Sequence, residues 1–142
     1  MIQEQETVYV VEDDTSLCNA VRRLLRSTQY RVLTYASAEE FYRSDFKTSP
    51  GCLILDIRLP GISGFELQAR LIASGVRMPV IFMTGQDRAG MEEYAMQLGA
   101  SAYLRKPVDE ETLLDAIRHA MKSRTGEKGD YKGSTVPGDA DG

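Results

Sequence analysis

Six polar residues stand directly after short apolar runs. Glu12, Asp13 and Asp14 follow Thr7 to Val11 (TVYVV), Asp56 follows Cys52 to Leu55 (CLIL), Thr84 follows Pro79 to Met83 (PVIFM), and Lys106 follows Ser101 to Arg105 (SAYLR). If these runs are parallel strands of one sheet, the residues after them gather along a single edge, where open α/β sheets hold their ligands. An acidic cluster, a hydroxyl and one ammonium would meet there. Carboxylates brought this close repel one another, and one stays protonated unless a counter-ion joins them. A hard divalent cation meets that need. Oxygen donors without thiolate or imidazole favour Mg²⁺, which binds through one or two carboxylates and often a phosphate. A carboxylate can attack a phosphoryl group and form an aspartyl-phosphate. Such a transfer needs in-line positioning and neutralisation of the equatorial oxygens. Lys106 and the Thr84 hydroxyl could share that task, and Gly85, lacking a Cβ, lets the backbone approach an anion closely. Each residue alone has a plainer reading. Asp56 could cap a turn, the Glu-Asp-Asp run could be a solvated face, Lys106 a surface lysine and Thr84 a turn residue; their convergence favours the chemical reading.

The rest of the chain supplies the elements that must position this group. After the first strand, Leu17, Ala20, Val21, Leu24 and Leu25 recur at helical spacing, with Asp14 read as the helix N-cap and competition for the metal as its alternative role. Arg31 to Tyr35 reads as a strand. Ser37 opens a short helix to Arg43, with Glu40 at the capping-box position and Phe41 as its apolar contact. Arg58 to Gly64 is a loop rich in breakers, followed by a helix over Phe65 to Ala73. Met91, Tyr94, Ala95 and Leu98 form a mostly core stripe stopped by Gly99 as C′ residue, with Tyr94 and Met96 as candidates for an outward, partner-facing surface. Gly90 is expected to weaken the first turn of this helix by roughly 1 kcal/mol relative to Ala and to leave that turn mobile. A last helix runs from about Asp109 to Lys122, with Leu113, Ile117, Ala120 and Met121 inward. The order is β-α five times. Near-continuous apolar strands are those of a parallel sheet covered on both faces, and right-handed crossovers make it doubly wound.

The set VVEDD, LILDIRLPGISGFEL, VIFMTG and AYLRKP resembles the response-regulator receiver family over about Thr7 to Met121, and DIRLPGISGFELQ and SAEEFY are similar to its FixJ-like branch. The resemblance implies an α/β, flavodoxin-like (βα)5 fold with a five-stranded parallel sheet in the order 2-1-3-4-5. It implies Asp56 as phosphoacceptor, Asp13 as direct Mg²⁺ ligand with Glu12 beside it through water, and the Arg58 backbone carbonyl as a further metal oxygen. Thr84 would bond a phosphoryl oxygen, Lys106 would pair with the acceptor carboxylate and then the phosphoryl group, and Lys106-Pro107 would be a cis peptide. Tyr103 matches the switch aromatic that changes rotamer as Thr84 moves inward. Arg58 and Gln86 flank the expected path of the hydrolytic water. The implied donor is a histidine kinase or phosphotransfer protein. Two departures stand out: Glu12 where Asp is commoner, and Gln86 to Gly90 (QDRAG) where the branch carries His after Thr-Gly and Pro in place of Gly90.

Bulk properties bound the reading. The 142 residues suit one domain, and 42% hydrophobic with 27% charged residues is an ordinary globular balance. The net charge of −4, from 17 basic and 21 acidic residues, gives no call for direct nucleic-acid binding. Cys18 and Cys52 are read as reduced packing thiols. His119, the sole histidine, is read as a surface or helix-end residue, and no zinc cluster exists. The polar N-terminus and the absence of a long apolar run point to a cytoplasmic protein without a membrane span. Residues 1–123 form the expected receiver domain. Residues 124–142, with five of the 12 glycines, are an expected flexible tail or linker. A downstream protein partner or a missing DNA-binding output domain would complete the function, and phosphorylation could drive dimerisation. Two competing readings are a phosphorylation-independent pseudo-receiver and a phosphatase of the haloacid dehalogenase group. The first is opposed by the intact Asp13, Asp56, Thr84 and Lys106, and the second by Arg58 standing where a second Asp is required.

Overall fold

The computed structural model describes residues 5–46 and 50–124. Ten elements alternate: β1 (Thr7–Val11), α1 (Thr15–Leu25), β2 (Arg31–Tyr35), α2 (Ala38–Tyr42), β3 (Gly51–Asp56), α3 (Gly64–Ala73), β4 (Val80–Thr84), α4 (Met91–Gln97), β5 (Ala102–Arg105) and α5 (Glu110–Arg124). The five strands form one parallel sheet in the order β2-β1-β3-β4-β5. This is the doubly wound arrangement expected from the sequence.

Every residue of β1, β3 and β4 is buried, because helices cover both faces. The side-chain period of two divides them between two cores. Val8, Val10, Ile54, Ile81 and Met83 pack with Cys18, Val21, Leu25, Leu113 and Ile117 of α1 and α5. Tyr9, Val11, Leu53, Leu55 and Phe82 pack on the other face with Phe41, Leu67, Leu71 and Ala95 of α2, α3 and α4. Each fully buried large apolar side chain contributes roughly 1.5–3 kcal/mol, so the central strands are the part of the fold hardest to displace. β2, at one margin, is only half-buried. Cys18 and Cys52 are both buried and not joined in a disulfide, as expected.

Register then sets the active edge. Val11 pairs with Leu55, Asp56 with Met83, and Thr84 with Arg105. The next residues, Glu12 and Lys106, therefore emerge beside Asp56 and Thr84. Close approach holds this register. A Cβ on Gly51 would lie 1.8 Å from the Thr7 carbonyl oxygen, so only glycine fits where β3 begins against β1.

The caps follow the local sequence. Asp14 accepts from the amides of Ser16 and Leu17 and caps α1, its expected role. Ser37 and Ser63 cap α2 and α3 by accepting from Glu40 and Glu66 amides. Gly90 corrects an expectation. It is not inside α4 but at its N-cap, with φ 87°. A left-handed residue without a Cβ carries little strain there, so glycine suits this turn and its supposed weakening of the helix does not apply. Gly99 follows α4 with φ 80°, at the expected stop. Tyr94 is 46% exposed and lies edge-on to Phe65, while Met96 is half-buried against the core. Among the described residues no helix is long and apolar enough to cross a membrane. Of the expected flexible segment, residues 124–142, Arg124 instead closes α5, because the helix runs one residue further than the composition change suggested, and the rest lies outside the described residues.

Candidate functional site

Glu12 leaves β1 with its side chain turned inward and 2% of its surface exposed. Its Oε1 accepts from the Lys106 Nζ at 2.7 Å, and its Oε2 accepts from the Asp14 amide at 3.0 Å. Asp56 ends β3 and is also buried. Its Oδ2 stands 3.4 Å from the same Lys106 Nζ. One carboxylate oxygen from each of Glu12, Asp13 and Asp56 lies within 4.8 Å of the others, with Asp13 facing solvent. Two buried acids thus share one lysine, and a third acid faces them from the rim.

The electrostatics follow from this imbalance. Burial raises the Asp56 carboxyl above its ordinary range, opposed by the Lys106 charge. Burial likewise raises Glu12, opposed by its bond from Lys106. Burial alone would lower the Lys106 ammonium, but the Glu12 bond and the Asp56 charge outweigh it and raise it. The site holds excess negative charge in a low-dielectric setting, a condition that a cation relieves.

These residues fit a hard divalent ion. All the donors are carboxylate oxygens, and their separations suit a common ion. Both oxygens of Glu12 are engaged by the chain's own groups, Asp56 is also paired with Lys106, and Asp13 faces solvent at the rim. A Cβ added at Gly85 would meet only the Lys106 Cδ, at 3.8 Å, so the backbone there is open to an anion as expected.

The surrounding loops are tied down. Thr84 is buried and its hydroxyl accepts from the Gln86 amide at 3.1 Å. The Ile57 amide donates to Met83, and the Gly64 amide donates back to Ile57, closing the β3–α3 loop. A Cβ on Gly64 would sit 2.3 Å from the Asp56 carbonyl oxygen, so α3 starts hard against the backbone of Asp56. Glu39 accepts from the Ile62 amide at 3.2 Å and holds the same loop from α2. The Arg58 guanidinium donates to the Gln86 side chain, so the two residues expected to flank the site touch each other. Lys106-Pro107 is cis.

The structure thus brings together Glu12, Asp13, Asp56, Thr84 and Lys106. Tyr103 lies apart from them in β5, buried, with its hydroxyl donating to Asp87 Oδ1 at 2.6 Å. Three features were not read from the sequence: the direct Glu12–Lys106 bond, the Asp87 acceptor for Tyr103, and the loop-holding Glu39. No motif marks Asp87 or Glu39. The replacement of the commoner Asp by the longer Glu12 was the one available signal for the first.

The comparisons agree with this geometry. The family profile described as the response regulator receiver domain matches residues 8–118. Response regulator protein TmoT of Ectopseudomonas mendocina is 38% identical over 86% of this chain and 56% of its own length. Nodulation protein W of Bradyrhizobium diazoefficiens is 40% identical over 78% and 48%. Transcriptional regulatory protein FixJ of Azorhizobium caulinodans is 36% identical over 89% and 59%. The chain spans about half the length of these curated relatives. Among solved structures, response regulator StyR superposes with a TM-score of 0.81 at 39% identity, over 86% of this chain and 62% of that one. The crystal structure of FixJ-N gives 0.75 at 28% identity, over 84% and 96%. With its fold, its strand-end residues and its family match in agreement, the chain belongs to the response regulator receiver family of two-component systems.

Proposed function

We propose that Asp56 accepts a phosphoryl group from a histidine kinase or phosphotransfer protein in a Mg²⁺-dependent reaction, and that the added charge switches a partner-binding surface. The observation that carries this reading is the buried Asp56 carboxylate, 3.4 Å from Lys106 Nζ and within 4.8 Å of Glu12 and Asp13 oxygens. An Asp56 oxygen bonds to phosphorus as the bond from phosphorus to the donor's imidazole nitrogen breaks. A Mg²⁺ ion held by Asp13, Asp56 and the Arg58 backbone carbonyl, with Glu12 beside it, would offset charge on the phosphoryl oxygens. Lys106 pairs with the acceptor before transfer and with the phosphoryl group after it. Thr84 turns its hydroxyl toward a phosphoryl oxygen and draws the β4–α4 loop with it, and the surface of α4, β5 and α5 responds. Such a local charge event biases a two-state element. Water resets the switch, at a rate tuned by Arg58 and Gln86.

The chain acts as a signalling phosphoacceptor, with only self-catalysed transfer and slow autodephosphorylation. Residues 1–123 are the receiver unit, cytoplasmic and without direct contact to nucleic acid. Its output passes through a protein partner, through a phosphorylation-dependent dimer, or through a DNA-binding output domain, a reading supported by relatives named as transcriptional regulatory proteins. Intact mass spectrometry after incubation with acetyl phosphate tests the reading. One phosphoryl group is expected on the wild type, and none on Asp56→Ala or in EDTA. A wild type that gains no adduct and also fails to bind beryllofluoride would be a pseudo-receiver.

A further inference from the structure

The strand period places Tyr103 and Arg105 side by side on one face of β5. The Arg105 guanidinium carbon lies 5.3 Å from the Tyr103 ring centroid, within cation–π range. Asp87, three residues beyond Thr84 in the β4–α4 loop, reaches both. Its Oδ1 accepts from the Tyr103 hydroxyl at 2.6 Å and its Oδ2 from Arg105 Nε at 2.7 Å. Arg105 Nη2 continues to Glu92 Oε1 in α4 at 2.8 Å. Both Asp87 oxygens are thus used, and loop, strand and helix close into one circuit.

We infer that Asp87 and Arg105 are positioning residues. Their latch keeps Tyr103 buried in the unphosphorylated chain and holds the loop of Thr84 in a set position. The ion pairs are half-exposed and weak alone. The phenol-to-carboxylate bond is charge-assisted and stronger, and it anchors a ring that is only 2% exposed. Any inward movement of Thr84 would pull on a loop tied to β5 through Asp87. The inference rests on the proposed function for its consequence, while the latch itself is built only from the chain's own side chains.

The test uses the full chain labelled with 3-fluorotyrosine, with no phosphoryl donor present. The Tyr103 resonance is assigned by its loss in Tyr103→Phe, and its exposure is read from broadening by a soluble paramagnetic agent. Amide hydrogen exchange is followed over residues 85–92. The wild type is expected to show a protected Tyr103 line. Asp87→Ala should expose it and speed exchange about tenfold or more, since it removes the charge-assisted phenol bond together with the weaker, half-exposed Arg105 pair. Asp87→Asn, which keeps a carbonyl acceptor for the phenol, should restore protection of the ring. A wild-type Tyr103 as accessible as Tyr94, or an Asp87→Ala protein with unchanged ring and loop, would overturn the inference. Adding Mg²⁺ and beryllofluoride afterwards separates the two readings. A wild type that gains no adduct from acetyl phosphate and binds no beryllofluoride fails the phosphoacceptor proposal while the latch result stands.

Discussion

Asp56→Asn removes one charge from a buried group of two acids and one lysine, and the structure lets the consequence be sized. Asp56 and Glu12 lie within 4.8 Å, where two like charges at an effective dielectric of about 20 repel by about 3.5 kcal/mol. Asp13 adds a smaller share because water screens it. Lys106 at 3.4 Å returns about 5 kcal/mol on the same scale. Taking the Asp56 carboxylate out of water costs several kcal/mol more. Asparagine removes the repulsion and the desolvation, and Lys106 is not orphaned because Glu12 holds it at 2.7 Å. The net expectation is a variant more stable by roughly 2 kcal/mol, from these opposing magnitudes. Urea unfolding followed by circular dichroism in EDTA at neutral pH measures it. Mg²⁺ should narrow the gap, because a ligand bound only to the folded state stabilises it by mass action and the variant offers the metal a neutral amide oxygen in place of a carboxylate. The pH dependence has a definite sign. The Asp56 pKa is raised in the fold, so its contribution favours the folded state below the unfolded carboxylate's value and is lost as pH rises through the folded one. The variant's advantage must therefore be full at neutral pH and shrink on acidification. An Asp56→Asn protein no more stable than the wild type in EDTA would refute the reasoning.

Four further outcomes follow from single contacts. Gly51→Ala forces a Cβ to 1.8 Å from the Thr7 carbonyl and should cost about 3 kcal/mol or more, at the upper end of overpacking penalties, visible as a lowered urea midpoint. Thr7→Val should be neutral or stabilising by about 1 kcal/mol in the same assay, because the buried Thr7 hydroxyl has no hydrogen-bond partner among the described residues and an apolar isostere removes that deficit. Asp14→Ala removes the α1 cap and should cost about 1 kcal/mol, whereas a role as metal ligand would instead appear as weakened Mg²⁺ binding. Arg58→Ala and Gln86→Ala should each change the rate at which the phosphorylated chain decays, followed by loss of the phosphoryl mass; unchanged decay in both would separate their contact from the hydrolytic path.

Strand ends were the most legible part of the sequence, because a buried run that stops at a charged residue marks both a sheet edge and its chemistry. Glu12, Asp13, Asp56, Thr84 and Lys106 were readable for that reason, and the parallel register brings them together. Side-chain partners across the edge were less legible. Whether Lys106 lies nearer Glu12 or Asp56 depends on the length of one methylene and on rotamers, which no periodicity encodes. The Asp87–Tyr103–Arg105 circuit links a loop to a strand through register and a turn. Asp87 lies 16 and 18 residues from Tyr103 and Arg105 in the chain, and no short motif joins it to them. Gly90 was misread because propensity was applied as if it sat inside a helix. Its left-handed φ belongs to the preceding turn, where the cost of glycine becomes an advantage.

Reductive trapping tests the central claim most directly. The chain is exposed to acetyl phosphate and Mg²⁺, quenched with borohydride, which reduces an acyl phosphate to an alcohol, digested and sequenced by tandem mass spectrometry. Homoserine is expected at position 56 and at no other aspartate, with none formed when Mg²⁺ is chelated. Homoserine at Asp13 or Asp14, or a phosphoryl adduct that persists in Asp56→Asn, would contradict it.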